Sequence, residues 1–314
     1  MKFRWVILVC GVSFAMLMSG CLGVTDKQQS VSKKKEAGQS NPDRSEGMYE
    51  SVLTYTGDGY DLPGGEKTEE IAKEHKAEVV KATKDYIKKT YKTDIEVHNM
   101  VGNKDGVTVF FESKGNLHFY STAIVPINVK EEKVISSGVW TLEGEVEGAI
   151  CAALYTLVKE EEFNELDQLL QTFPSQYPIA GRTMQSIENV RGKGHITPYY
   201  FIQATHLDEA IRPVYNLYLN DPDTSIEKLK EAYLSDKFDP EFFTVSIHFF
   251  MKEKDAQPDR EIFDEIVTAV ETNQDLPAGT YSVYLHDHYV IKNNAAAFKD
   301  NSLSRSSPDH IRKD

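Results

Sequence analysis

The sequence predicts an α+β fold, antiparallel sheets with segregated helices, built as one large domain or two small subdomains. Three observations predict it. Alternating apolar runs follow one another in hairpin order. Amphipathic stripes of helical period stand apart from those runs, and regular strand–helix–strand alternation is rare.

The elements follow in chain order. From Thr68, the residues Ile71, His75, Val79, Ala82 and Tyr86 recur at helical spacing, with Ala72, Val80, Thr83 and Ile87 widening the stripe to about Tyr91. Its polar face carries Glu69 with Lys73, Lys81 with Asp85 and Asp85 with Lys89, each four residues apart. Asp94 to Val101 and Gly106 to Glu112 are β-rich, and Asn103-Lys104-Asp105-Gly106 between them reads as a hairpin turn. After Gly115-Asn116 a long strand places Leu117, Phe119, Ala123, Val125, Ile127 and Val129 on one face. Glu143 to Val158 and Glu160 to Phe173 read as helices, and Pro174 to Pro178 marks a candidate boundary.

Beyond it lie a Gly-rich loop, Arg191-Gly192-Lys193-Gly194, and a short aromatic strand from Tyr199 to Ile202. Capping boxes at Thr205-His206-Leu207-Asp208 and Thr224-Ser225-Ile226-Glu227 each predict a helix start. Phe243 to Met251 alternates as a strand, Asp259 caps a helix bearing Ile262, Phe263, Ile266, Val267 and Val270, and Tyr281 to Ile291 closes as a strand.

Both ends differ from this middle. Lys2 and Arg4 precede an apolar run from Trp5 to Met18, long enough for a secretory signal and too short to span a bilayer. The run ends at Met18-Ser19-Gly20-Cys21, where small residues admit a peptidase and the Cys21 thiol is placed to accept a diacylglyceryl group. The usual motif prefers Leu where Met18 stands. Two acyl chains anchor stably without a spanning helix, because each buried methylene contributes about 0.8 kcal/mol. Thr25 to Gly47 is too poor in apolar side chains to offset chain entropy and reads as a tether; Asn293 to Asp314 looks similar. The expected organisation is a signal peptide at 1–20, a lipidated Cys21 and disordered tether over 21–47, α+β subdomains over 48–175 and 176–292, and a disordered tail over 293–314.

Charge narrows the partners. The chain carries −14; the signal holds +2, the tether +1 and the tail +1, which leaves −18 for residues 48 to 292. Such a surface repels nucleic acid and anionic headgroups, so nucleic acid is excluded as a partner. Cys10 leaves with the signal and Cys21 is used for lipid, so Cys151 is the single remaining thiol and no disulfide framework exists.

Sites are weaker. The nucleophile elbow, zinc-protease helix, phosphate loop and calcium loop are all missing, so no enzyme and no cofactor is predicted. Arg191 to His195 could hold an anion, although a plain flexible loop explains it as well. Asp58, Asp61 and Glu66 could bind Ca²⁺ or simply form a solvated turn. Tyr199-Tyr200-Phe201 could form a glycan platform or serve the core. The sharpest constellation is His248, His286 and His288. Alternation directs Tyr281, Val283, Leu285, Tyr289 and Ile291 inward, so His286 and His288 share the other face with His248 of the preceding strand. Three neutral imidazoles would suit Zn²⁺ or Cu²⁺, whereas scattered surface histidines are the plainer reading. Asp287 then points at the core unless a bulge re-aims it.

A family resemblance accompanies this reading. Tyr55-Thr56-Gly57-Asp58-Gly59-Tyr60, Val97-His98-Asn99, Asp105-Gly106-Val107, Leu117-His118-Phe119-Tyr120, Ala123-Ile124-Val125-Pro126-Ile127, Glu143 to Ile150, Gly181-Arg182-Thr183 and Pro198-Tyr199-Tyr200-Phe201 resemble an uncharacterised lipoprotein family of Gram-positive bacteria, known as a domain of unknown function. The likeness covers approximately residues 48 to 220 firmly. It implies a lipid-anchored position on the outer face of the cell membrane, facing a cell wall, and brings no catalytic or ligand residues. The expected protein is a membrane-anchored surface lipoprotein that binds an unknown protein or cell-wall partner. A solute-binding lipoprotein of a transporter, with a deep cleft, and a cell-wall-active hydrolase are the alternatives.

Overall fold

The computed structural model describes residues 47–293 and 298–314; the expected signal peptide, Cys21 and nearly all of the expected tether lie outside the described residues. The described part belongs to one compact unit, Arg44–Asp314.

The chain opens with β1 (Tyr49–Ser51), α1 (Glu66–Glu74) and α2 (Lys76–Tyr91), then β2 (Ile95–Asn103), β3 (Gly106–Ser113), β4 (Tyr120–Asn128) and β5 (Lys133–Val134). Helices α3 (Glu145–Val158) and α4 (Glu160–Gln176) lead to β6 (Ile179–Ala180), α5 (Met184–Val190), β7 (His195–Ile196) and β8 (Tyr200–Ala204). Helices α6 (Arg212–Asn220) and α7 (Ile226–Ala232) precede β9 (Phe243–Met251), α8 (Arg260–Thr272), β10 (Gly279–His286), β11 (Tyr289–Ile291), β12 (Leu303–Arg305) and β13 (Ile311–Lys313).

The expected first helix is two helices sharing one stripe. His75 leaves helical geometry at φ −103°, ψ 26°, yet its carbonyl accepts from Glu78 and Val79, so α2 starts where α1 ends. The predicted hairpin forms, with Asn103 opposite Gly106 across Lys104 and Asp105. β2 to β5 make a four-stranded antiparallel sheet. The second sheet has seven strands, ordered β12-β10-β9-β8-β7, with β13 also on β10 and β6 on β9. Its β9–β10 pair is parallel and joined through α8, whose cap Asp259 accepts from the N–H groups of Glu261 and Ile262 as expected.

Helix α3 explains why the two sheets form one body. Residues Val146 and Gly148 to Tyr155 are all buried, as a helix apolar on every side requires, and the helix packs on both β4 and β8. Gly148 permits the approach, since a Cβ there would sit 2.7 Å from the Ala204 carbonyl oxygen.

Three expectations are corrected. The proposed division at 175/176 does not appear: α4 runs through Pro174 to Gln176, β6 pairs with β9, and a single apolar core extends from Ile71 to Ile311. The tail is not disordered throughout, because β12 and β13 flank β10 and Ile311 is buried in the core. The box at Thr205 does not start a helix; Asp208 is buried, accepting hydrogen bonds from the Tyr155 hydroxyl and the Ala210 N–H, and α6 begins only at Arg212. The second box starts α7 one residue late, with Ser225 as the cap.

Candidate functional site

The chemistry-bearing groups gather on the face of the seven-stranded sheet that points away from α3. Alternation along β9 directs Val245, Ile247 and Phe249 into the main core and leaves Ser246, His248 and Phe250 on this face; β10 adds Tyr284 and His286, and β8 adds Phe201. The parallel register sets His248 opposite Tyr284, which brings His286 close on the neighbouring strand. The rings stack across the strands. Phe201 to His248 measures 5.4 Å between centroids, His248 to His286 5.2 Å and His286 to Phe250 4.7 Å.

This face was expected to be solvated, and it is buried. His286 is 0% exposed, and His248, His288 and Asp287 are buried as well. Its cover is the β1–β11 pair and α5, which close two small apolar clusters over it: Val52, Tyr55, Val190, Phe250 and Val290, and Tyr120, Ile187 and Ile196 with Phe201. The last strand expected from the sequence is accordingly broken. β10 ends at His286, and β11 leaves the sheet to pair with β1.

The predicted histidine triad is brought together only in part. His248 Nδ1 and His286 Nε2 lie 3.0 Å apart in a hydrogen bond, and His286 Nδ1 meets Ser302 Oγ at 2.8 Å. His288 does not join them; its Nδ1 donates to the Met251 carbonyl at 3.2 Å, beyond the end of β10. Two imidazoles bonded directly to each other do not present two lone pairs to one ion. Among the described residues no group of three or more His, Cys, Asp or Glu could hold a metal. Burial depresses His248, and His286, Arg182 and Arg191 lower it further; burial also depresses His286, aided by Lys299 and Arg182 against Asp287. Both rings are therefore neutral at physiological pH.

Asp287 is explained by a residue of the tail. Its carboxylate pairs with the Lys299 ammonium, side chains 2% and 6% exposed, and also accepts from Asn301 Nδ2 and the Tyr289 N–H. Burial opposes its ionisation, but Lys299 and Asn301 hold the carboxyl below its usual range. The strand's one inward acid is thus the anchor of the C-terminal segment.

The remaining sequence candidates disperse. Tyr200 enters the core while Phe201 faces the other way, so no glycan platform forms. Asp58, Asp61 and Glu66 are exposed without a ligand cluster. The Arg191–His195 loop is not merely flexible. Gly194 bridges to Tyr120 of the smaller sheet at 2.9 and 3.0 Å, Lys193 pairs with Glu145, and the Arg191 guanidinium sits 5.6 Å over the Phe201 ring. Sequence reasoning passed over Arg182, which lies just before the α5 cap Thr183 and places its guanidinium 5.0 Å over Phe250. Nothing local distinguishes it from a surface arginine.

Two openings adjoin these elements. A groove of about 400 Å³ runs along the ring face, lined by Phe201, Ser246, His248, Tyr284, Phe298 and Ser304. A cleft of about 360 Å³ lies between the α2 end and the α6–α7 loop, where Lys88 and Lys114 border it but are paired with Asp94 and Glu96.

Fold and face together define an α+β domain with a buried polar layer on one face of its larger sheet. The family model for "Protein of unknown function (DUF1672)" matches residues 42–313, and the chain belongs to that family. A crystal structure of a DUF1672 family protein from Staphylococcus aureus subsp. aureus Mu50 superposes with a TM-score of 0.67 at 16% identity, covering 85% of this chain and 98% of that one. At that identity the likeness concerns the fold. No curated protein matches the chain.

Proposed function

We propose that this protein is a lipid-anchored module on the outer face of the cell membrane that acts by binding an unknown protein or cell-wall partner rather than by catalysis. One observation carries the reading: a positive n-region and a short apolar run end at Met18-Ser19-Gly20-Cys21. The fold supports it, since among the described residues no helix is long and apolar enough to cross a membrane, so attachment falls to the lipid. The neutral, mutually bonded His248 and His286 support a binding rather than an acid–base role.

Metabolic labelling with an alkyne fatty acid tests the anchor. The wild-type chain should take up label and partition into detergent, and Cys21→Ala should lose both. Unchanged membrane retention of the Cys21→Ala chain would overturn the proposal.

A further inference from the structure

Arg182 is 9% exposed, and its Nε and Nη2 atoms are buried without a hydrogen-bond partner. Those two nitrogens form one edge of the guanidinium, where two parallel N–H bonds match the spacing of two oxygens in a carboxylate or phosphate. Among the described residues no carboxylate pairs with Arg182 or with Arg191. Asp287, the acid that acts on His286, is taken by Lys299. What Arg182 meets instead is the Phe250 ring; burial and the repulsion of Arg191 push it below the ordinary arginine range, and the Tyr55 phenol opposes them. Burial lowers Arg191 to about 10, and the Tyr60 phenol opposes that shift. Both groups remain cationic at neutral pH.

The two cations are linked through the rings. Arg191 covers Phe201, Arg182 covers Phe250, and His248 and His286 complete the stack between them. His248 adds another buried nitrogen without a partner, Nε2, and it lines the open groove together with Phe201. An unpaired buried charge is expensive, and the half-buried cation of Arg191 beside it raises that cost. Residues 48 to 292 carry −18, so the lack of an acid partner for either guanidinium among the described residues is selective.

We infer that Arg182 and Arg191 form a receptor for the oxyanion group of a ligand, a carboxylate or a phosphate, held by the Nε–Nη2 edge of Arg182. The inference does not rest on the lipid anchor and survives if Cys21 carries none.

The test uses the full-length chain in detergent, titrated calorimetrically with inorganic phosphate and separately with acetate, at ionic strength fixed by sodium chloride. Saturable binding of either probe, weakened at least tenfold in R182M and in R191M, is expected, and the stronger probe identifies the oxyanion. Without a ligand, R182M should melt no lower than the wild type, because it removes an uncompensated charge. Absence of saturable binding to both probes, or binding undiminished in R182M, would overturn the inference. Should R182M fail to fold, the Arg182 Nε–H resonance of the ¹⁵N-labelled wild type decides: a saturable shift with phosphate or acetate supports the receptor, and an unmoved resonance refutes it.

Discussion

The two faces of the seven-stranded sheet are buried by different chemistry. On the core side, Val245, Ile247, Phe249, Tyr281, Val283 and Leu285 share one apolar cluster with buried residues of α3, α4 and α8, and shape decides the contact. On the other side His248, His286, Asp287, Lys299 and Arg182 are as thoroughly covered, and electrostatics decides it. The difference teaches that burial in this fold is not a measure of hydrophobicity. The inner face is stable because apolar area leaves water, at about 25 cal/mol per Å². On the outer face Asp287 is held by its partner Lys299 whereas Arg182 has no acid, so single changes there should be felt more sharply than their size implies.

The largest expected effect breaks the outer face. Asp287→Ala strands the Lys299 ammonium in a site 6% exposed, and the loss should be about 3–5 kcal/mol by urea denaturation. The double change Asp287→Leu with Lys299→Met should restore part of that stability. If Asp287→Ala alone is neutral, the ion pair does not hold the C-terminal segment and the contrast between the faces fails.

Acid should then separate the faces without mutation. His248 and His286 have folded-state pKa values depressed by burial, so below the unfolded value of about 6.5 the unfolded chain binds protons that the native one does not. Stability is complete above that pH and falls as pH drops through it, by about 1.4 kcal/mol per histidine at pH 5.5. His195, depressed to about 4, adds to the same slope. The stability difference between pH 7.0 and 5.5 should shrink when His286 is replaced by Phe, which keeps the ring stack. An unchanged pH slope in H286F would show that these imidazoles do not titrate out of register.

The smallest effect probes the inner face. Gly148→Ala forces a methyl group to within 2.7 Å of the Ala204 carbonyl oxygen and should cost about 1–3 kcal/mol with no dependence on pH. A stabilised G148A would mean that α3 can move off β8, and that close packing is not what joins the two sheets.

Much of the inner face was legible in the sequence, because its signals are local. The period of Phe243–Met251, the Asp259 cap, the Asn103–Gly106 turn and the uninterrupted apolar run of α3 each follow from residues a few positions apart. The same alternation also placed His248 and His286 correctly on one face. Whether that face meets water is not a local property. It depends on α5 and the β1–β11 pair arriving from distant parts of the chain, and no spacing encodes their arrival.

The sequence by itself determined the α+β class, most strands and helices and the acidity of residues 48 to 292, since periodicity, capping and net charge are summed over neighbours or over composition. Only the tertiary structure decided that the chain from Arg44 is one unit, that a polar tail supplies β12, β13 and the Lys299 partner of Asp287, that His288 parts from His286 at the strand end, and that Arg182 is buried without an acid. Three-residue strands carry too little alternation to be read. A lone arginine becomes unusual only when distant segments close over it and withhold both water and a counter-ion.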